Sequence, residues 1–356
     1  MGESMPPPAS EITLALRPES RLDLIDVSSR VSDLVCRYHK ALYYSYHTTA
    51  GYLDPRLCAR LNHDSESLHA FLQSFQNLFP PGAAYRHDEL EMREELTAEQ
   101  RKGEPRNGDA HLTYIGSGLN NCVTYANDPL VPVFFVDLDG VHDETARCRH
   151  TTVIGFDHEL VVSELFLTIP VSSHPIDSVN LKNRHLGIFE QLEECVRRNG
   201  VVRGRIDITL ERDERQAGLT VNEYETMLMK HDLVEILRDP LRFVAERGRH
   251  MISDPKAIPI KAKGYAKYDL VQILNEFIDA LGLSESLLER IIHKFLAYPA
   301  SRFLRMKRSI SLLVNDRDES GCGSIVEGMY QSPILVQWSK AQPQVRRLRA
   351  QIITFE

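Results

Sequence analysis

Three histidines carry the chemistry this sequence has to offer. They are His47 in Tyr43-Tyr44-Ser45-Tyr46-His47-Thr48-Thr49-Ala50-Gly51, His87 in Tyr85-Arg86-His87, and His111 in Asp109-Ala110-His111-Leu112. Three imidazoles from separate elements, with a fourth position open, make a zinc-type site suited to Lewis-acid or bound-water chemistry. Asp109, two residues before His111, is placed to accept a hydrogen bond from a ligand imidazole and fix its tautomer. The same spacing also fits a metal-free acid–base or phosphate-binding cluster, or histidines that are merely structural among the 14 in the chain. Arg86 suits an anionic group, because a guanidinium fork matches phosphate oxygens; the plainer alternative pairs it with Asp88 or Glu89 at the surface. Thr48 and Thr49 offer hydroxyls either to a ligand or to the backbone of their own turn.

The elements that must position these residues show in the hydrophobic pattern. Leu42, Tyr44 and Tyr46 alternate with Tyr43, Ser45 and His47, which predicts a half-buried strand over Tyr43–His47 running into a flexible turn. Short strands are expected at Ile12–Leu16 and Leu22–Val27, with Ser28 capping a helix to Tyr38. Leu57, Leu61, Leu68, Leu72, Phe75 and Phe79 recur at helical steps, so one helix is expected from Pro55 to Phe79, stopped by Pro80-Pro81-Gly82. Further strands are expected at Cys122–Tyr125, Val131–Leu138 and His150–Phe156.

The second half repeats this order. A strand at Glu164–Val171, a helix at Leu186–Arg198 and a strand at Arg205–Glu211 lead to Gln216-Ala217-Gly218, the counterpart of Thr49-Ala50-Gly51. Pro333–Trp338 and Leu348–Phe355 correspond to Val133–Leu138 and His150–Phe156. A helix over 225–246 matches the Pro55–Phe79 helix, and surplus helices are expected within about 252–303, at 268–281, 284–295 and 300–306. The expected organisation is a loose tail over 1–10, a first α+β unit over 11–158 and a second over 159–356. Asn222 and Glu223 follow a strand-like run in the second unit. Glu223 suits a general base or ligand for a site shared with the first unit, or simply the N-terminal charge of the next helix. Gln331 suits the orientation of a bound ligand, while Tyr330 reads as packing.

A length of 356 residues, 42% hydrophobic and 26% charged, describes a globular chain of about two domains. The net charge of −8 argues against a general nucleic-acid or anionic-membrane surface. Six scattered cysteines without a CxxC pair fit reduced thiols, and with no apolar run long enough to span a bilayer the expected location is cytoplasmic.

His47-Thr48-Thr49-Ala50-Gly51, Tyr85-Arg86-His87 and Asp109-Ala110-His111-Leu112, in that order, resemble the motifs of the YjbQ-like family. The second half is similar to a different subset: Ala217-Gly218-Leu219-Thr220-Val221-Asn222-Glu223 follows the family's asparagine–glutamate element, and Gly328-Met329-Tyr330-Gln331 its glycine–tryptophan–glutamine element. The first copy lacks both, with Leu53-Asp54-Pro55 and Asp128-Pro129-Leu130-Val131 in those places, and the second has Glu214 where the first histidine would stand. The resemblance implies an α+β fold of two tandem β-sandwich units with flanking helices and a trimer-type homo-oligomeric ancestry. It also implies a link to thiamine-phosphate-synthase-like chemistry on a small phosphorylated molecule. In that reading His47, His87, His111 and Glu223 are catalytic and the three histidines hold a divalent metal, Zn or Mg, with Asp109 behind them. Thr48, Thr49, Arg86, Asn222 and Gln331 then bind substrate. The competing expectation is a non-catalytic binding or scaffold protein that has kept the fold and lost parts of the site from each copy.

Overall fold

The computed structural model describes residues 9–223 and 306–356 together with Asp232, apart from positions 84, 94, 95, 143 and 318. The helices expected at 225–246, 268–281, 284–295 and 300–306 lie wholly or almost wholly outside the described residues, as do residues 1–8 of the expected tail.

The first unit runs β1 (Ser10–Leu16), β2 (Asp23–Asp26), α1 (Ser32–Arg37), β3 (Lys40–Ser45), β4 (Ala50–Gly51), α2 (Pro55–Arg60), α3 (Ser65–Leu78), α4 (Ala98–Gly103), α5 (Gly108–Ser117), β5 (Cys122–Ala126), β6 (Phe134–Asp137), the small hairpin β7 (Val141–His142) and β8 (Thr145–Ala146), and β9 (Arg149–Phe156). The second runs β10 (Glu159–Pro170), β11 (Asp177–Asn180), α6 (Ile188–Arg198), β12 (Arg203–Leu210), β13 (Ala217–Asn222), β14 (Ser309–Asn315), β15 (Ser324–Val326), β16 (Ser332–Gln337) and β17 (Val345–Phe355).

The sheets show the duplication directly. The first unit has a sheet of order β1-β9-β3-β5 and another of order β2-β6-β4, and the second repeats them as β10-β17-β12-β14-β15 and β11-β16-β13. Registers match as well: Lys40 lies opposite Phe156, while Gly204 lies opposite Thr354, so Arg203 answers Lys40 and Phe355 answers Phe156. Ala50 faces Asp137 as Ala217 faces Gln337. The architecture is α+β, two tandem sandwich-like units. β11, β14 and β15 were not among the expected strands: β11 and β15 are four and three residues long, whereas β14, as long as β1, was missed despite the alternation of Ser309–Leu312.

Local chemistry explains where elements depart from expectation. The single helix over Pro55–Phe79 is two helices, since Asn62 and His63 adopt positive φ of 56° and 52° and Asp64 then caps α3 by accepting from the Ser67 N–H. Asp26 rather than Ser28 caps the turn before α1, accepting from the Ser28 hydroxyl and the Ser29 N–H. β3 ends at Ser45, short of His47, where the Ser45 hydroxyl donates to the Ala50 carbonyl and folds the chain back.

Each unit has its own apolar core, the first between its sheets and α3 and α5, the second between its sheets and α6. A third cluster joins them: Leu42, Tyr44, Cys122, Ile154 and Phe156 pack on Leu313, Val326, Ile353 and Phe355. Phe156 and Phe355, equivalent positions of the two units, stack at 4.0 Å. Burying a side chain of this size contributes roughly 1.5–3 kcal/mol. Gln331 locks the junction: its amide donates to the Ser45 and His47 carbonyls (2.8 and 2.9 Å), and its carbonyl accepts from the Gly328 N–H (2.9 Å) and lies 2.7 Å from the Tyr44 hydroxyl, whose one proton it shares with the Val326 carbonyl. Gln331 is thus a structural clip between the units, in contrast to the expected substrate contact. Gln331→Ala strands several buried partners and should cost about 3 kcal/mol, read as a lower urea midpoint.

Candidate metal centre

His87 sits in a 3-10 turn, Arg86–Asp88, whose backbone is pinned from outside: the Arg86 and His87 N–H groups both donate to the Asp232 carboxylate at 3.0 Å. His111 lies one turn into α5, a helix buried along its whole length. Asp88 ties the two elements together, because its Oδ1 accepts from the Gly108 N–H at 2.9 Å and from His87 Nδ1 at 3.0 Å. Glu223 comes from the other unit, at the end of β13. Asn222 Oδ1 accepts from the Glu223 N–H at 2.8 Å and lies 2.7 Å from His111 Nδ1.

These contacts determine the tautomers. Asp88 and Asn222 each present an acceptor oxygen to a ring Nδ1, so the proton of each neutral imidazole belongs on Nδ1 and the Nε2 lone pair is left free. Both Nε2 atoms are buried and have no hydrogen-bond partner. They face one carboxylate, His87 Nε2 at 3.7 Å from Glu223 Oε2 and His111 Nε2 at 3.6 Å from Oε1, with the ring centres 4.7 Å apart. Ligand atoms from His87, His111 and Glu223 all lie within 4.8 Å of one another. Two lone pairs and a carboxylate pointed at one spot repel unless a cation occupies it, so this donor set fits a metal ion.

The electrostatics agree. Burial alone would lower the His87 pKa, but Asp88 and Glu223 outweigh it and raise it to about 9. Burial lowers His111 to about 4, with the charge of His87 adding to the effect against Glu223. Burial favours neutral Glu223, yet His111, His87 and Arg93 hold it down at about 2. Without a metal, one proton on His87 therefore serves as the cation. Beside the centre runs a buried charge network: Arg149 on Asp137 (2.6 Å), Arg147 on Asp139 (3.0 Å), Arg21 bidentate on Asp109 (2.8 Å) and Arg93 on Glu104 (3.0 Å). Burial lifts Asp109 to about 6 against the pull of Arg21, with Asp88 and Asp139 adding to the rise.

Several expected residues stand elsewhere. His47 does not join His87 and His111: its Nε2 accepts from the His150 N–H at 2.9 Å, and burial with nearby Arg149, His150 and Arg147 keeps it neutral at about 3. Its carbonyl, not its ring, faces the junction, through Gln331. Asp109 serves Arg21 rather than a ligand histidine; Asp88 and Asn222 take that part. Arg86 points outward and pairs with Glu89 at 2.9 Å. Buried Arg93, unremarked in the sequence, comes within 4.0 Å of Glu223. Thr48 donates to Glu223 Oε1 at 3.3 Å, while Thr49 accepts from Arg149. Asp88 was legible as the residue directly after His87, whereas nothing local marks Arg93.

Fold and centre together define a tandem pair of α+β units that, among the described residues, share one histidine–carboxylate cluster across their junction. No family model and no curated protein matches the sequence. Solved structures do. A YbjQ-like protein of unknown function from Sulfolobus solfataricus P2 matches at 16% identity and TM-score 0.29, over 55% of this chain and 99% of its own. An uncharacterized conserved protein of the yjbq/upf0047 family from Clostridium acetobutylicum matches at 15% and 0.27, over 53% and 98%. A hypothetical protein from Aeropyrum pernix K1 matches at 17% and 0.27, over 42% and 99%. The chain is thus similar in structure to YjbQ-like proteins, each accounted for almost completely by about half of it. The six cysteines are free, and no helix among the described residues is long and apolar enough to cross a membrane.

Proposed function

We propose that this chain is a metal-dependent enzyme whose centre, held by His87, His111 and Glu223, acts on a small anionic molecule, with a phosphorylated metabolite as the favoured class. The observation that carries the reading is the pair of buried, unpartnered Nε2 atoms facing Glu223, their Nδ1 atoms held by Asp88 and Asn222. Two imidazoles and one carboxylate suit Zn better than Mg, which prefers an all-oxygen shell. A bound divalent ion would supply Lewis acidity and ease deprotonation of water. Around it the protein's own groups have defined tasks. Asp88 and Asn222 keep the rings oriented and Thr48 steadies the Glu223 carboxylate. Arg93, near the carboxylate, is the cation best placed to meet a substrate anion, the part the sequence assigned to Arg86.

Metal analysis of the purified protein tests this. One zinc per chain is expected in the wild type and none in His87→Ala or His111→Ala. His47→Ala should keep its metal, which separates this centre from a three-histidine one. A metal-free wild type after zinc loading would overturn the proposal and leave the scaffold reading.

A further inference from the structure

Each of the two histidines is held through its ring and through its backbone. The His111 ring is held by Asn222, and its backbone by α5, where the His111 N–H donates to the Asn107 carbonyl at 3.2 Å. His87 has no such helix. It stands in a three-residue turn, Arg86–Asp88, whose internal bonds run from the Asp88 and Glu89 N–H groups. The N–H groups of Arg86 and His87 come first in the turn and so find no partner within it. Tyr85, at the N-cap, has no short acceptor side chain to offer them; its hydroxyl donates to the Pro80 carbonyl instead.

Asp232 supplies the missing cap. Its two carboxylate oxygens each accept one of these N–H groups at 3.0 Å, and the side chain is fully buried. Because Asp232 belongs to the second unit, the cap reaches His87 from across the junction. The other supports of the turn come from the first unit. Asp88 bridges the His87 ring to the Gly108 N–H, and a Cβ on Gly108 would lie 2.9 Å from Tyr85 Cβ and 3.2 Å from His87 Cβ. Those contacts seat the turn on α5, while Asp232 holds its leading N–H groups.

We infer that Asp232 is a positioning residue for the metal centre: by capping the His87 turn it sets where His87 Nε2 points. This role deepens the metal reading and rests on it. A zinc–imidazole bond of about 2.0–2.1 Å tolerates little displacement of the ring. Without the carboxylate, two buried N–H groups lose their acceptor, and the turn shifts to find another. His87 Nε2 then no longer converges with His111 and Glu223. The second unit thus builds the centre in three ways, with Glu223 as ligand, Asn222 on the His111 ring and Asp232 on the His87 backbone.

Asp232→Ala should weaken zinc binding about 10–100-fold, the range for losing a group that orients a ligand. Asp232→Asn keeps one acceptor oxygen and should fall between Asp232→Ala and wild type; it carries the comparison if the alanine variant does not fold. Leu192→Ala, in the core of the second unit, is the control, since it lowers stability away from the centre. Calorimetric zinc titration and urea denaturation of the full chain compare the four proteins, and hydrogen exchange on the metal-free forms follows the Arg86 and His87 amides. Both amides should exchange slowly in wild type and faster in Asp232→Ala, while Leu192→Ala keeps its zinc affinity at a lower urea midpoint. If Asp232→Ala likewise loses stability but keeps wild-type zinc affinity, Asp232 is merely structural and the positioning role is overturned. Rapid exchange of the two amides in wild type would overturn it as well. A wild type that takes no zinc would instead sink the metal reading, and the ligand-positioning role with it, while the exchange comparison still reports the cap.

Discussion

Glu223→Gln is expected to weaken zinc binding by at least about 100-fold, because second-sphere losses alone reach 10–100-fold and this removes a charged ligand. Glutamine keeps the shape of the side chain and can still accept from Thr48, so the junction between the units should hold. Titration calorimetry with zinc would measure the loss, and urea denaturation of the metal-free variant near pH 7 would show one cooperative transition at a lower midpoint, because the ionised carboxylate no longer supports the charged His87. A second signature distinguishes loss of the charge from general damage. His87 owes its raised pKa to Asp88 and Glu223, so in the metal-free variant its imidazole should titrate below about 9 while His111 stays neutral. An unchanged zinc affinity would remove Glu223 from the centre.

Zinc affinity should climb steeply with pH, by about tenfold per unit between pH 7 and pH 9, and then level off. In the metal-free protein His87 keeps its proton up to about pH 9, and the ion must displace that proton to reach the lone pair. His111, at about 4, and Glu223, at about 2, are already deprotonated over this range and add no further slope. The same shifts govern stability without metal. His87 has a folded pKa above its unfolded value near 6.5, so its contribution is complete below pH 6.5 and is lost as pH rises through 9. His111 has the opposite displacement and costs stability as pH falls from 6.5 toward 4. The metal-free protein should therefore be most stable near pH 6.5 as far as these two groups decide. Zinc should raise the melting temperature most at the alkaline end, as calorimetric scans at several pH values would show. A zinc affinity independent of pH would contradict the proton count.

Much of this protein could be read before folding. Period-2 alternation placed β3, but the half-buried strand it implied is buried on both faces, Ala41 and Tyr43 in the first core and Leu42 and Tyr44 in the junction between the units. The recurrence of Thr49-Ala50-Gly51 as Gln216-Ala217-Gly218 located the repeat, and the paired registers of β4 and β13 show the same correspondence in space. His87 and His111 were singled out by their motifs, and Glu223 by its place after a strand-like run. Those inferences rest on local pattern, which the chain carries along its length.

Where each side chain points was decided only by tertiary structure. His47 lies just past the end of β3, and the fold-back between Ser45 and Ala50 turns its ring toward the His150 backbone rather than toward the other histidines. Arg86 and Arg93 are close in sequence, yet one is drawn outward by Glu89 and the other inward beside Glu104 and Glu223. Asp109 precedes a ligand histidine but belongs to Arg21, while Asn222, over a hundred positions away, reaches His111. Sequence by itself determined the doubled α+β framework and the supply of imidazoles and carboxylates. Which of them meet depended on docking one unit against the other, because a contact between residues remote in sequence has no local pattern to announce it.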